Sequence, residues 1–159
     1  MITYAEVLEL FDYKDGELYW KVSKGKAKAG KKAGCLDAKN YIKVGINNRD
    51  YGIHQLIFLI HNKYIPKEID HINGVRNDNR IENLREVTTS QNQQNSKIGK
   101  NNTSGYKNVT WDFWVNKWRV QLNICGKNKY IGIFEDIELA DLVAQEARNK
   151  YYGEFACHS

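Results

Sequence analysis

The segment that most constrains this chain is a short apolar-to-polar run at positions 69–74, Ile69-Asp70-His71-Ile72-Asn73-Gly74. Two asparagines follow it, Asn83 twelve residues after His71 and Asn92 nine residues further on. Asp70 offers a hard oxygen ligand, His71 a base that titrates near neutral pH, and Asn92 a neutral second oxygen ligand. Two protein oxygens leave most of a Mg²⁺ coordination sphere open to water and phosphate, as phosphodiester hydrolysis requires. The pattern therefore predicts a nuclease.

The charge distribution fits a polyanionic partner. The 159 residues carry 24 Lys and Arg against 19 Asp and Glu, a net charge of +5. Residues 1–53 hold ten basic and seven acidic side chains, residues 54–94 hold five of each, and residues 95–159 hold nine and seven. Two basic terminal segments around a central segment of balanced charge suit a protein that binds nucleic acid through its ends and reacts with it at the centre. The same charges are equally consistent with an ordinary solvated surface.

The cysteines and the apolar segments bear on localisation. Cys35, Cys125 and Cys157 are odd in number and lack a C-x-x-C spacing, which argues for a reducing compartment and against a zinc site or a disulfide framework. The longest apolar run, residues 56–60, is too short to cross a bilayer, and no signal peptide begins the chain. We expect a cytoplasmic protein of a bacterial or phage-infected cell, without a membrane partner.

Residues 1–52 are predicted to form a β-rich N-terminal region that carries a basic loop. Thr3 can cap a short helix, and a strand near 18–22 and a hairpin over 41–53 follow. Residues 23–34 hold five Lys and three Gly and no large apolar residue, so this segment is either a mobile loop or a loop that lies along phosphates. Its candidate DNA-binding residues are Lys24, Lys26, Lys28, Lys31 and Lys32.

Residues 53–97 are predicted to form a compact unit around the metal. A buried helix over 54–62 precedes a strand that must end at His71, because only then can the adjacent Asp70 and His71 side chains act on one phosphate. The turn signal Asn73-Gly74 supports that end. A second strand then returns, and a helix capped by Thr89 or Ser90 carries Asn92 in its first turn.

The motif resembles the HNH endonucleases. The similarity lies in residues 70–74, 79–85 and 88–93, and it is greatest to the phage and intron-encoded homing type, in which an Asn replaces the last His of the motif. It implies Asp70 and Asn92 as ligands of one Mg²⁺ or Mn²⁺ and His71 as general base. Asn83 would hold the loop and orient His71. The products would be a 5′-phosphate and a 3′-hydroxyl, and a monomer with one such site would nick one strand of duplex DNA.

A polar linker over 98–104 precedes a C-terminal domain, residues 105–159, with three predicted strands and a helix. In the middle strand, residues 117–124, Arg119, Gln121 and Asn123 face away from an apolar side that the helix would cover. The segment is similar to the plant apetala-type (ethylene-response-factor) DNA-binding domain, through residues 104–109, 117–119, 130–134 and 153–155. That similarity implies a sheet in the major groove with DNA contacts from Lys107, Trp114, Arg119, Gln121, Asn123 and Tyr130.

The sequence thus predicts an α+β protein. A small ββα-metal nuclease core follows the β-rich N-terminal region and precedes a three-stranded antiparallel sheet packed on one helix. The predicted function is that of a metal-dependent homing-type endonuclease. One alternative is a DNA-binding regulator with an unused nuclease core. Another is an RNA-binding or RNA-cutting protein, which the lack of a single-strand stacking motif disfavours.

Overall fold

The structure is a computed structural model that describes residues 2–23 and 25–157. Within these residues it has four α-helices, ten strands and two short 3₁₀ helices, Ile81–Asn83 and Gly153–Phe155. The helices are α1 (Tyr4–Leu10), α2 (Ile53–Asn62), α3 (Thr89–Gln94) and α4 (Ile137–Tyr152). The strands are β1 (Phe11–Lys14), β2 (Glu17–Trp20), β3 (Cys35–Leu36), β4 (Ile42–Ile46), β5 (Arg49–Gly52), β6 (Ile69–His71), β7 (Leu84–Glu86), β8 (Val109–Asp112), β9 (Lys117–Ile124) and β10 (Lys127–Phe134). The predicted α+β class is confirmed.

The chain divides into two compact units, Met1–Glu86 and Val87–Ser159. The division falls between β7 and α3, inside the segment predicted as the nuclease core. The predicted linker over 98–104 belongs to the second unit, where the Ser104 hydroxyl donates to the carbonyl of Val109 at 2.7 Å and the Asn102 amide donates to that of Tyr106 at 2.9 Å. Across the described residues, every helix is too short or too polar to span a lipid bilayer.

Local signals in the sequence set most elements of the first unit. Thr3 caps α1 in a reciprocal pair of hydrogen bonds with Glu6, as the Thr-x-x-Glu spacing favours. Asn47 and Asn48 both have positive φ, 49° and 61°, which matches the two-residue turn that joins the antiparallel strands β4 and β5. The core of the unit is built by α1, β1, β2, β4 and α2, with Val7, Phe11, Leu18, Val44, Ile53, Leu56 and Ile57 buried.

The basic segment is partly ordered against β2. The backbone amide of Trp20 donates to Lys31 at 2.9 Å and that of Ala33 donates to Leu18 at 2.7 Å. Ala33 is buried in the core, so the end of the segment is anchored rather than a free loop. Of its predicted DNA contacts, Lys26, Lys28, Lys31 and Lys32 are exposed, and Lys24 lies outside the described residues.

The second unit is a three-stranded antiparallel sheet, in the order β10–β9–β8, packed on α4. Val120 and Leu122 of β9 are fully buried against Ala140 and Ala144 of α4, which confirms the predicted apolar face. Small alanine side chains on the helix allow this close approach. Asp136 caps α4 by accepting the Leu139 backbone amide, and the helix stops at Gly153.

Candidate active site

The end of β6 positions the candidate catalytic pair. β6 pairs with β7 in antiparallel register, with Asp70 opposite Arg85 and His71 opposite Leu84. The chain turns immediately afterwards, because the amide of Gly74, at φ +68°, donates to the carbonyl of His71 at 2.8 Å. Asp70 and His71 are both buried, 7% and 4% exposed. The predicted strand end is therefore present, and the charge of Asp70 acts on the His71 imidazole.

Asn83 holds the loop that follows. Its Oδ1 accepts the backbone amide of Asn73 at 3.0 Å, and its Nδ2 donates to Asn73 Oδ1 at 3.0 Å and to the carbonyl of Asp78 at 2.7 Å. Its own carbonyl accepts the backbone amide of Ile72 at 2.9 Å. Asn83 thus joins both ends of the loop through hydrogen bonds. Holding the loop is one of the two roles that the resemblance implies for Asn83, and orienting His71 is the other.

Asn79 contacts the candidate base directly. Asn79 Oδ1 lies 3.0 Å from His71 Nε2, and Asn79 is 1% exposed. In the sequence, Asn79 is indistinguishable from an ordinary turn residue of an Asn-rich loop, and the resemblance assigned the orienting role to Asn83. In the folded loop it is the Asn79 side chain, and not that of Asn83, that lies against the His71 imidazole. Asn83 acts on His71 through the backbone that it holds.

Burial sets the charge state of His71. Removal from water lowers the pKa of His71, and the hydrogen bond to Asn79 and the charge of Asp70 oppose that shift without reversing it. The imidazole is therefore neutral at physiological pH. The Asn79 oxygen faces Nε2, where it accepts the hydrogen bond of the tautomer that carries its proton on Nε2. A neutral, oriented imidazole of this kind is suited to accept a proton.

A second imidazole lies against His71. The ring centroid of His54, in the first turn of α2, is 5.4 Å from that of His71 and 5.4 Å from that of Tyr41. His54 Nδ1 is buried without a hydrogen-bond partner, and burial lowers the pKa of His54 to about 4. The nearby His71, when protonated, and the charge of Lys43 contribute to the same shift. Gly52 makes room for this ring, since a Cβ there would lie 2.4 Å from His54 Cε1.

Asp70 is held by an arginine of the neighbouring strand. Arg85 Nε and Nη2 both donate to Asp70 Oδ2, at 3.0 and 2.9 Å. The pair is well shielded, with side-chain exposures of 14% for Arg85 and 8% for Asp70. The cross-strand position of Arg85 opposite Asp70 is the signal by which this contact could be found once the strand register is known.

Comparison with known proteins identifies the family of this chain. The family model for HNH endonucleases matches residues 51–94. The chain is 34% identical over 96 residues to Protein 3.8 of Escherichia phage T7, and the alignment covers 58% of this chain and 77% of the relative. The chain belongs to the HNH endonuclease family. No solved structure matches it significantly.

The HNH domain makes the protein a nuclease hydrolase with DNA as the substrate implied by its family. HNH nucleases generally depend on a divalent metal. Across the described residues, no cluster of three or more His, Cys, Asp or Glu side chains is placed to hold one. The predicted donors are of a different kind, one carboxylate, Asp70, and one amide, Asn92. Both are oxygen donors, as Mg²⁺ and Mn²⁺ accept, so their chemistry fits the metal.

Asn92 lies in α3, which belongs to the second unit. The helix begins at a capping box in which the Thr88 hydroxyl accepts the Gln91 amide and the Gln91 side chain accepts that of Thr88. The cap is therefore Thr88, rather than Thr89 or Ser90 as predicted. Asn92 follows in the first turn and is half-buried. Its role as a metal ligand stays a prediction.

The predicted DNA contacts outside the HNH domain fall into two groups. Arg119, Gln121 and Asn123 share the face of β9 opposite α4, and Tyr130, paired with Gln121, is 59% exposed on the same face. Lys107 does not join them. Its ammonium donates to the carbonyl of Gln94 at 2.9 Å and to that of Ser96, and burial lowers its pKa. Lys107 therefore serves as a structural contact at the end of α3.

Lys32 also has a partner within the protein, because its ammonium forms an ion pair with Glu17 of β2. Lys26, Lys28 and Lys31 remain exposed cations of the first unit that are suited to phosphate contacts. Trp114 is 95% exposed on the turn between β8 and β9. The apetala-type similarity of the second unit stays a prediction, because the family match ends at residue 94.

Proposed function

We propose that this protein is a metal-dependent HNH homing-type endonuclease that nicks duplex DNA and leaves a 5′-phosphate and a 3′-hydroxyl. The observation that carries the proposal is the buried His71, held at the end of β6 beside Asp70 with Nε2 on Asn79 Oδ1. The site thus combines a neutral base with an adjacent carboxylate at a turn. The protein would act as a monomer in the cytoplasm of a bacterial or phage-infected cell.

In this proposal Asp70 and Asn92 hold one Mg²⁺ or Mn²⁺. The bound metal would neutralise charge on the scissile phosphate and on the leaving 3′ oxygen. His71 would act as the general base that takes the proton from the attacking water, and Asn79 holds its imidazole in place through the 3.0 Å contact with Nε2. Arg85 keeps the Asp70 carboxylate in one orientation. Asn83 keeps the loop, and with it Asn79, in place.

Substrate binding would be shared between the two units. The exposed Lys26, Lys28 and Lys31 would contact phosphates, while the polar face of β9 and β10, with Arg119, Gln121, Asn123 and Tyr130, would lie on base edges. Phosphate contacts supply affinity that falls with salt, and amide and guanidinium groups supply sequence choice.

The test is a plasmid-nicking assay with the full chain in Mg²⁺, in Mn²⁺ and in EDTA. We expect conversion of supercoiled to open-circular DNA in either metal and none in EDTA. His71→Ala should lower the rate by about 10²–10⁴ while DNA affinity is kept, because a positioned base contributes about that much. His61→Ala removes an exposed imidazole of the same unit and serves as the matched control.

Ligation of the nicked product without prior phosphorylation would support the proposed end chemistry. If the protein binds duplex DNA but leaves plasmid intact in every metal, it is the regulator with an unused nuclease core. Stronger competition by RNA than by duplex DNA would instead assign the site to RNA.

A further inference from the structure

The turn between β8 and β9 presents large apolar side chains to solvent. Phe113, Trp114 and Val115 are 81%, 95% and 50% exposed. The other three tryptophans, Trp20, Trp111 and Trp118, are each partly buried. Two adjacent aromatic side chains that contribute so little to the core are typical of a contact surface, because exposing apolar area to water is unfavourable.

Asp112 orders this turn. Its Oδ1 accepts the backbone amide of Trp114 at 3.0 Å, and its Oδ2 accepts the guanidinium of Arg119. These contacts lower the pKa of Asp112, and the hydrogen bond from the Trp114 amide has the largest effect. The carboxylate is therefore ionised at neutral pH. The pairing of Asp112 with Lys117 closes the hairpin below the turn. The aromatic pair is therefore held on an ordered turn, which reduces the entropy that binding would cost.

The distribution of charge in the second unit disfavours a polyanion at the start of α4. The strand segment 109–134 carries four basic side chains, Lys117, Arg119, Lys127 and Lys129, and one acidic side chain, Asp112. The next segment, 135–146, which leads into and forms most of α4, carries five acidic side chains and no basic one. Lys127 and Lys129 lie on the α4 side of the sheet, opposite Ile124 and Leu122, whereas Lys117 and Arg119 lie on the other face and pair with Glu135 and Asp112. The acidic start of α4 repels a nucleic acid, which leaves the face of Arg119 and Gln121 as the side that a duplex can approach.

We propose that the Phe113–Trp114 turn is a wedge that inserts an aromatic side chain between adjacent base pairs of duplex DNA. This inference rests on the proposed function, in which the duplex lies on the polar face of β9. β9 begins three residues after Trp114, and Asp112 joins the turn to Arg119 of that face. An inserted apolar side chain partly unstacks one base step and kinks the duplex, and the stacking contacts offset that energetic cost.

The experiment uses the full-length protein in EDTA, so that the DNA stays uncut. The probe is a series of short duplexes, each with one 2-aminopurine, whose fluorescence rises when its base is unstacked. The variants are Phe113→Ala with Trp114→Ala, Trp114→Phe, and Gln121→Glu, which places a negative charge on the polar face. Leu142→Ala, 60% exposed on α4, is the matched control for loss of an exposed apolar side chain.

We expect the wild-type protein to raise 2-aminopurine fluorescence at a few positions. The double variant should lose that signal and bind about tenfold more weakly, the usual effect of removing an aromatic stacking contact. Trp114→Phe should keep most of the signal, and Leu142→Ala should match the wild type. Gln121→Glu should weaken binding throughout.

Unchanged unstacking by the double variant, together with weaker binding by Gln121→Glu, would overturn the wedge and leave the sheet as the DNA face. Wild-type affinity of Gln121→Glu would overturn both. Weaker binding by the double variant without any wild-type unstacking would make the turn a groove contact and reject insertion. A wild-type dimer that the double variant dissociates, again without unstacking, would make the turn a protein interface and reject the wedge.

Discussion

Asn79 accepts a hydrogen bond from His71 through an Oδ1–Nε2 distance of 3.0 Å, and both side chains are almost completely removed from water. An acceptor in that position selects the tautomer with the proton on Nε2. It also holds the ring plane, because the loop that carries Asn79 is tied down by Asn83. The residue that orients the base therefore differs from the residue that organises the loop.

The first prediction separates those two roles. Asn79→Ala should lower the nicking rate at saturating DNA by about 10–100-fold with little change in KM, as loss of an orienting partner does. Asn79→Asp keeps an acceptor on Nε2 and should recover most of the rate. Asn77→Ala, an exposed position of the same loop, is the control. A wild-type rate for Asn79→Ala would assign the orientation of His71 to other contacts.

The second prediction concerns the metal donors. Asp70→Asn removes the charged ligand but keeps its shape beside Arg85, so its loss of activity should exceed that of Asn92→Ala, which removes a neutral amide. Asn92→Asp should stay active with an altered preference between Mg²⁺ and Mn²⁺. Nicking rates over a titration of each metal measure these effects. A larger loss for Asn92→Ala than for Asp70→Asn would contradict the proposed ligand roles.

The third prediction uses two glycines of neighbouring strands. A Cβ at Gly52 would lie 2.4 Å from His54 Cε1 and 2.9 Å from Nδ1, so Gly52→Ala must displace a ring that packs against His71. A Cβ at Gly45 would lie 3.5 Å from Asp50 Oδ1, an ordinary contact. We expect Gly52→Ala to lower nicking about 10–100-fold, since small displacements of a reacting group are costly. Gly45→Ala should act like the wild type. Equal rates for both variants would show that the His54 ring does not position His71.

The fourth prediction concerns stability in acid. Because the pKa of His54 falls from 6.5 to about 4 on folding, the unfolded chain takes up a proton between those pH values that the native protein does not. The free energy of unfolding should therefore fall as the pH is lowered through that window, by up to about 3 kcal/mol from this group. Urea denaturation across the window measures the change, and His54→Phe should reduce its slope. An unchanged slope in that variant would mean that other groups cause the acid sensitivity.

Elements whose causes are local were predictable from the sequence. Thr3 and Glu6 form the expected cap, Asn73-Gly74 ends β6 at His71, and the alternation of β9 separates Val120 and Leu122 from Gln121 and Asn123. Each depends on interactions within a few residues, namely a capping hydrogen bond, a turn with positive φ, or the two-residue period of a strand.

Contacts between residues distant in the chain were decided only by the tertiary structure. Asn79 rather than Asn83 contacts His71 because of the way the twelve-residue loop between β6 and β7 folds. The ring of His54 packs against His71 from a different element, α2. Lysine is usually a surface residue, yet the ammonium of Lys107 donates to carbonyls at the end of α3. Residue type and spacing determine which chemistry a chain can perform. Burial and long-range hydrogen bonding determine which of several equivalent side chains performs it, because they depend on the whole fold.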